Sequence, residues 1–98
     1  MTDKELLKLA AKAAHGEFAN QMIESGWNPL ADDGEALRLA VELGIIIWEC
    51  AQYDRAMAEI RYGKASGEYW EPIENDDPYA ATRRAIVKAA AEIGRAMK

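Results

Sequence analysis

The sequence predicts an α+β domain in which an antiparallel sheet of three to four strands packs with three helices. Three stretches carry apolar residues at helical spacing behind a capping signal, and alternating or β-branched segments lie between the second and third stretches. Because short loops join those segments, they are expected to pair as neighbouring antiparallel strands. The predicted order is α-(β)-α-β-β-β-α, and 98 residues suffice for a single domain spanning residues 1–98.

The first helix is predicted to begin at Thr2, because Glu5 follows at the spacing of a capping box. Gly16 is a suitable C-terminal stop, since glycine readily adopts the left-handed conformation that ends many helices. The expected buried side consists of Leu6, Leu9, Ala10 and Ala13. Residues 17–24 fit either a strand or a continued helix, and we favour a strand.

The second helix is predicted to start at Asp32, with Glu35 in its first turn, and to end at Gly44. Its expected buried side consists of Ala36, Leu37, Ala40, Val41 and Leu43. The β-branched run that follows, Ile45 to Ala51, is typical of a largely buried strand.

Two further strands are expected to form a hairpin. Ala58, Ile60 and Tyr62 alternate with charged residues, which indicates a half-buried strand, and residues 63–67 are long enough to turn the chain. Residues 68–73 form the next strand, which Pro72 places at a sheet edge or near the strand end. Tyr69 and Trp70 then point to opposite faces, so at least one of them is expected to be partly exposed.

The third helix has the clearest start signal, with Asp77 as N-cap and Pro78 in the first helical position. Its expected buried side consists of Thr82, Ile86, Ala89, Ala90, Ile93 and Met97.

Charge is distributed unevenly along the chain, whose net charge is −5. Residues 1–76 hold 7 basic and 15 acidic residues, whereas residues 77–98 hold 5 basic and 2 acidic ones. An acidic body argues against general nucleic-acid binding, because phosphate contacts require a basic face. The longest apolar run, residues 45–48, is far shorter than the roughly 20 residues of a membrane helix, and no secretory signal is visible. We therefore expect a cytoplasmic protein without a membrane partner.

The residue types needed for common catalytic and metal sites are scarce. Cys50 is the one cysteine and His15 the one histidine, which excludes an internal disulfide and multi-ligand Cys or His metal motifs. A Cys–His nucleophile pair lacks an orienting third residue, so Cys50 is interpreted as a small core or sheet residue. Glycine-rich phosphate loops are also missing from the sequence. We expect no enzyme activity, no metal and no cofactor.

Two longer stretches resemble a known group of proteins. One is residues 26–41, where Gly-Trp-Asn-Pro-Leu precedes Asp-Asp-Gly-Glu-Ala-Leu-Arg, and the other is residues 77–94, which begin Asp-Pro-Tyr-Ala-Ala-Thr-Arg-Arg. Together with Glu-Leu-Leu at residues 5–7, they resemble small proteins of tailed bacteriophages and prophages that are similar to the phage ABA-sandwich domain. The resemblance covers about half of the chain, and residues 45–75 depart from it. It implies a phage origin and a small α/β fold, and it implies no activity.

The densest acidic window, residues 68–77, holds five acidic residues and no basic one. One interpretation is a solvated sheet edge whose charge discourages pairing with other chains. The other is a partner-binding surface in which aromatic anchors lie among acidic groups, since Tyr and Trp are enriched at interface hot spots. The candidate binding residues are Glu68, Tyr69, Trp70, Glu71, Glu74 and Asp76, and this interpretation requires Glu71, Glu74 and Asp76 to be exposed.

The favoured function is a non-enzymatic phage accessory protein that binds a host or bacterial-defence protein, in the manner of an anti-CRISPR inhibitor. That step is an analogy with other small acidic phage proteins. The alternative is a small-molecule binder, such as a sponge for a signalling nucleotide, that uses Arg83, Arg84 and Trp27, with an oligomer interface as its expected location. A structural phage protein is a third interpretation. Homo-oligomers are compatible with all three.

Overall fold

The computed structural model of the protein describes residues 1–48 and 53–97. Its elements, in chain order, are α1 (Asp3–His15), a 3₁₀ turn (Gly16–Phe18), α2 (Ala19–Glu24), α3 (Asp33–Leu43), β1 (Ile46–Trp48), β2 (Arg55–Ile60), β3 (Gly67–Pro72) and α4 (Pro78–Ala96). Three long helices and a three-stranded antiparallel sheet confirm the predicted α+β class. The sheet order is β1-β2-β3, so β3 is an edge strand as predicted.

The strand predicted for residues 17–24 is wrong. This segment forms the 3₁₀ turn and the short helix α2. Its partly buried apolar residues are Ala19, Met22 and Ile23, which are spaced three and four residues apart and so share one side of a helix rather than one face of a strand. They pack against the core from the end of α1.

The helix starts follow the predicted local chemistry. The Thr2 hydroxyl accepts a hydrogen bond from the Glu5 amide at 3.1 Å, and Asp32 Oδ1 accepts one from the Glu35 amide at 2.9 Å. Asp77 Oδ1 caps α4 in the same way. Each bond satisfies an amide that has no partner within the helix.

Two of the residues predicted to be buried on α3, Leu37 and Val41, are exposed, so that part of the prediction is wrong. Ala36, Leu39 and Ala40 are buried, but Leu37 is 58% exposed and Val41 is 73% exposed. The two exposed residues lie one turn apart and form an apolar stripe beside the core-facing one. Gly44 ends the helix as predicted, in the left-handed region at φ 67°.

The sheet departs from prediction at its first strand and at Tyr62. Within the described residues β1 has three residues, and its Ile47 and Trp48 are exposed rather than buried. The predicted continuation of this strand to Ala51, which includes Cys50, lies outside the described residues. Tyr62 lies beyond the end of β2 and is 87% exposed. The hairpin itself is confirmed, since β2 and β3 pair antiparallel over six residues each.

Helix α4 is the central element of the core. It packs against α1 and α3 as well as against β2 and β3, so most of its circumference is buried. Of the side predicted to be buried, Ile86, Ala89 and Ala90 are buried, whereas Thr82 and Ile93 are half-buried and Met97 is exposed. The helix interfaces consist largely of alanine, which lets the backbones approach closely. At the closest crossing of α1 and α4, Gly94 lies directly against the backbone of Leu9.

Candidate functional site

One face of the sheet is left uncovered by the described helices. Helix α4 packs on the face that carries Ala56, Ala58 and Tyr69, which are buried or half-buried. Side chains alternate along each strand, so the opposite face is set by the register of the three strands. We call this opposite side the open face; its residues are Ile46, Trp48, Arg55, Met57, Glu59, Glu68, Trp70 and Pro72.

A row of large side chains crosses the middle of the open face. Trp48 pairs with Met57 across β1 and β2, and Met57 pairs with Trp70 across β2 and β3. Met57 is buried, yet it does not belong to the contiguous core cluster on the helix side of the sheet. Directly opposed side chains on neighbouring strands lie close enough to touch, so the two indoles are placed to shield the thioether. Trp48 remains 44% exposed, which leaves aromatic surface available for contact.

Polar contacts restrict both indoles. Trp48 Nε1 donates a hydrogen bond to Glu59 Oε1 at 2.8 Å, and the same carboxylate oxygen lies 3.6 Å from Arg61 Nε. The Arg55 guanidinium carbon lies 5.2 Å from the centroid of the Trp70 ring, within the range of a cation–π contact. Aromatic side chains that are held before binding lose little conformational entropy when a partner docks.

Acidic groups collect at one end of this sheet, where β2 begins and β3 ends. Asp54, Glu74 and Asp76 are exposed there, and the Ile73 amide donates a hydrogen bond to the Asp54 carbonyl at 2.8 Å. Asn75 and Asp76 both have positive φ angles near 55°, a conformation that Asn and Asp tolerate better than most residues. The resulting sharp turn presents Glu74 and Asp76 to solvent immediately before α4. We call these three acidic residues the acidic end.

The predicted exposure of Glu71 is wrong. Its side chain is 13% exposed and faces α4, where its carboxylate lies 3.0 Å from Lys88 Nζ and 3.5 Å from Arg84 Nε. Tyr69 lies on the same face, and its hydroxyl donates a hydrogen bond to the Ala65 carbonyl. Burial, reinforced by the negative charge of Glu92, raises the pKa of Tyr69. Both residues are therefore part of the packing between sheet and helix.

The alternative set of Arg83, Arg84 and Trp27 is not brought together. Arg83 donates to the Leu30 carbonyl at 2.8 Å and to Asp33 at 2.7 Å, toward α3. Arg84 donates to Asp3 at 2.7 Å, toward α1, and this hydrogen bond, aided by the charges of nearby carboxylates, outweighs partial burial and raises the pKa of Arg84. Trp27 is buried in the core. The two guanidinium groups thus join helices and loops rather than line one pocket.

The one histidine, His15, packs against the aromatic ring of Trp27. The His15 ring packs edge-on against the Trp27 ring with centroids 5.1 Å apart, and Nε2 is buried without a hydrogen-bond partner among the described residues. Cys50, the other member of the Cys–His pair considered from the sequence, lies outside those residues.

In residues 1–48 and 53–97, no three His, Cys, Asp or Glu side chains are grouped so as to hold a metal ion. In the same residues, no helix combines the length and the apolar character needed to cross a membrane.

Sequence reasoning missed two exposed apolar regions, one on the open face and one on α3. Trp48 and Met57 join Trp70 only through the strand register, which depends on residues far apart in the chain. The sequence contained a signal for the region on α3, because this helix carries apolar residues on two adjacent sides. Leu37 and Val41 lie on the outer side, because Ala36, Leu39 and Ala40 already provide a core-facing stripe.

Comparison with known proteins gives no relative. No protein-family model matches the chain, and neither the curated proteins nor the solved structures contain a match. The resemblance to the phage ABA-sandwich domain stays a prediction from the sequence.

Proposed function

We propose that this is a non-enzymatic protein that acts by docking on another protein through the open face and the acidic end. The observation that carries the proposal is the row formed by Trp48, Met57 and Trp70 on a sheet face without a described helix over it. Tryptophan is among the residues most enriched at interface hot spots, and methionine adapts well to varied partner shapes. Charged residues border the row, as expected for the polar rim of an interface.

The charge pattern indicates the kind of partner surface. Around the tryptophan row the charges are balanced, because Arg55 and Arg61 accompany Glu59 and Glu68. Beyond the row, the acidic end adds three exposed carboxylates, which outnumber the two nearby bases, exposed Arg55 and partly exposed Arg84. A partner of matching chemistry has an apolar centre with basic residues on the side that meets the acidic end. The resemblance to phage proteins makes a bacterial host or defence protein the first partner class to search.

The experiment begins by capturing a partner from bacterial lysate on the immobilised chain and purifying it for calorimetric titration. Trp48→Ala is expected to weaken binding roughly 30-fold, the effect of losing about 2 kcal/mol at a hot spot. Replacing Glu74 and Asp76 by Lys is expected to slow association and to reduce its dependence on salt. Neither of these exposed acidic side chains forms an ion pair among the described residues. Because Lys adopts the left-handed conformation of residue 76 less readily than Asp, the melting temperature of the double variant is compared with that of the unmodified chain to separate a lost surface from a weakened fold.

Tyr62→Ala is the matched control, because Tyr62 is an exposed aromatic residue that lies outside the open face. Its affinity should equal that of the unmodified chain. A partner that binds Trp48→Ala and the Lys double variant as tightly as the unmodified protein would refute the proposed surface.

A further inference from the structure

A second apolar surface lies on the helix side of the sheet, next to the edge strand β1. A groove of about 430 Å³ opens between α3 and α4, with Ile86 among its lining residues and Leu37, Ile47 and Tyr79 along its sides. Ile47 is 42% exposed and Tyr79 is 68% exposed, and Val41 extends the surface by one turn of α3. We call Leu37, Val41, Ile47 and Tyr79 the apolar stripe.

The size of the apolar stripe fits an interface. At their observed exposures these side chains present roughly 400 Å² to solvent, within the range of the largest, commonly functional patch on a monomer. Complete burial of these residues on two copies would remove at most about 800 Å² from solvent, so neighbouring polar residues must supply the rest of the ~1,200 Å² lower bound of specific interfaces. The area therefore corresponds to a small interface at the lower end of the specific range.

The charges beside the stripe favour a second copy as the occupant. Arg38 and Glu42 are exposed one turn apart on the flank of α3, and neither forms an ion pair within the described part of the chain. A two-fold axis relates identical patches and makes the two copies of α3 antiparallel. In that arrangement the Leu37–Val41 segments face each other, and Arg38 of each copy lies opposite Glu42 of the other. The flank is thus complementary to itself under two-fold symmetry.

We propose that the apolar stripe is a homodimer interface in which two copies of α3 pack antiparallel, with Arg38 paired to Glu42 across the two-fold axis. Each copy also places Ile47 and Tyr79 beside the partner's helix. The interface lies on the helix side of the sheet and leaves the open face free.

Analytical ultracentrifugation over micromolar to millimolar concentrations tests the proposal. The unmodified chain is expected to reach twice its monomer mass, and Val41→Lys is expected to raise the dimer dissociation constant at least tenfold. Val41 is largely solvated in the monomer, so this substitution should leave the circular dichroism spectrum and the melting temperature nearly unchanged. Phe18→Lys is the matched control, because Phe18 is an exposed apolar residue outside the stripe, and this variant should dimerise normally.

Charge exchange tests the antiparallel geometry. Arg38→Glu and Glu42→Arg are each expected to weaken self-association, because each places like charges opposite one another. An equimolar mixture of the two variants should restore dimers, since every cross-axis pair is then of opposite sign. The proposal would be overturned if the unmodified chain stays monomeric at the highest concentration. It would also be overturned if the chain stays monomeric and Val41 instead contacts an unrelated protein. Normal dimerisation of Val41→Lys, or a mixture that forms no more dimer than its components, would also overturn it.

Discussion

The crossing of α1 and α4 makes Gly94→Ala the sharpest test of how the core is packed. A Cβ atom at residue 94 would lie 1.9 Å from the carbonyl oxygen of Leu9 and 2.8 Å from its carbonyl carbon. The obstacle is backbone, so no side-chain rotation can relieve it. Restoring even a 3.0 Å separation requires the two helices to move apart by about 1.1 Å.

Two opposing effects set the magnitude. Alanine is favoured over glycine inside a helix by about 1 kcal/mol, whereas forcing an extra methyl group into a packed interface costs about 3 kcal/mol at the upper end of the usual range. The expected net loss is about 2 kcal/mol in the free energy of unfolding. For a domain of this size that loss corresponds to a decrease of roughly 8–16 °C in melting temperature.

Urea denaturation followed by circular dichroism measures the loss, with Gly34→Ala as the control. Gly34 also lies in a helix, but a Cβ there would meet only the Asp32 side chain, at 3.2 Å. That variant should lose much less stability than Gly94→Ala, because the obstacle is the Asp32 carboxylate, which caps α3 and can shift by a few tenths of an ångström, and not the backbone. If Gly94→Ala proves equally stable, the close approach of α1 to α4 is wrong.

The remaining predictions concern the two side chains that connect β3 to α4. Glu71→Gln is expected to lower the free energy of unfolding by about 1–2 kcal/mol in urea denaturation, because Lys88 and Arg84 lose their shared carboxylate in a half-buried site. Glu68→Gln, on the solvated side of the same strand, should change it by less than about 0.5 kcal/mol, and equal effects would contradict the assigned contacts. The raised pKa of Tyr69 means that the unfolded chain loses the phenol proton more readily than the folded protein, so stability should fall as pH rises above about 10. Tyr69→Phe should flatten this alkaline decline, as measured by melting temperature against pH. An unchanged slope in this variant would contradict the burial of the Tyr69 phenol.

The features that the sequence predicted well are those determined by neighbouring residues. The caps at Thr2, Asp32 and Asp77 depend on a side chain and an amide three residues away, so the sequence contains both partners. The hairpin of β2 and β3 is similarly local, since alternation and a short loop suffice to predict it.

The features that the sequence missed depend on distant partners. In residues 17–24, Ala19, Met22 and Ile23 follow helical spacing, but only their contact with the core at the end of α1 shows that these are the residues that pack. Glu71 belongs to an acidic window by sequence but lies opposite two cations of α4 in space. For α3, the hydrophobic pattern gave more apolar residues than the core accommodates, and only the position of α4 decides that Leu37 and Val41 stay outside.

The two proposed surfaces reinforce each other because they lie on opposite sides of the sheet. Adjacent residues of β1 supply both: Ile47 belongs to the apolar stripe, and Trp48 belongs to the open face. A two-fold dimer formed through the stripe would therefore present two open faces at once. Against a partner that is itself oligomeric, or that repeats one binding surface, the second contact forms at high effective concentration and strengthens binding without any new contact type. Val41→Lys would then weaken capture of a multivalent partner while leaving the affinity for its isolated monovalent fragment unchanged, whereas Trp48→Ala would weaken both. If Val41→Lys weakens binding to the monovalent fragment as well, the stripe contacts the partner directly and the two surfaces do not have separate roles.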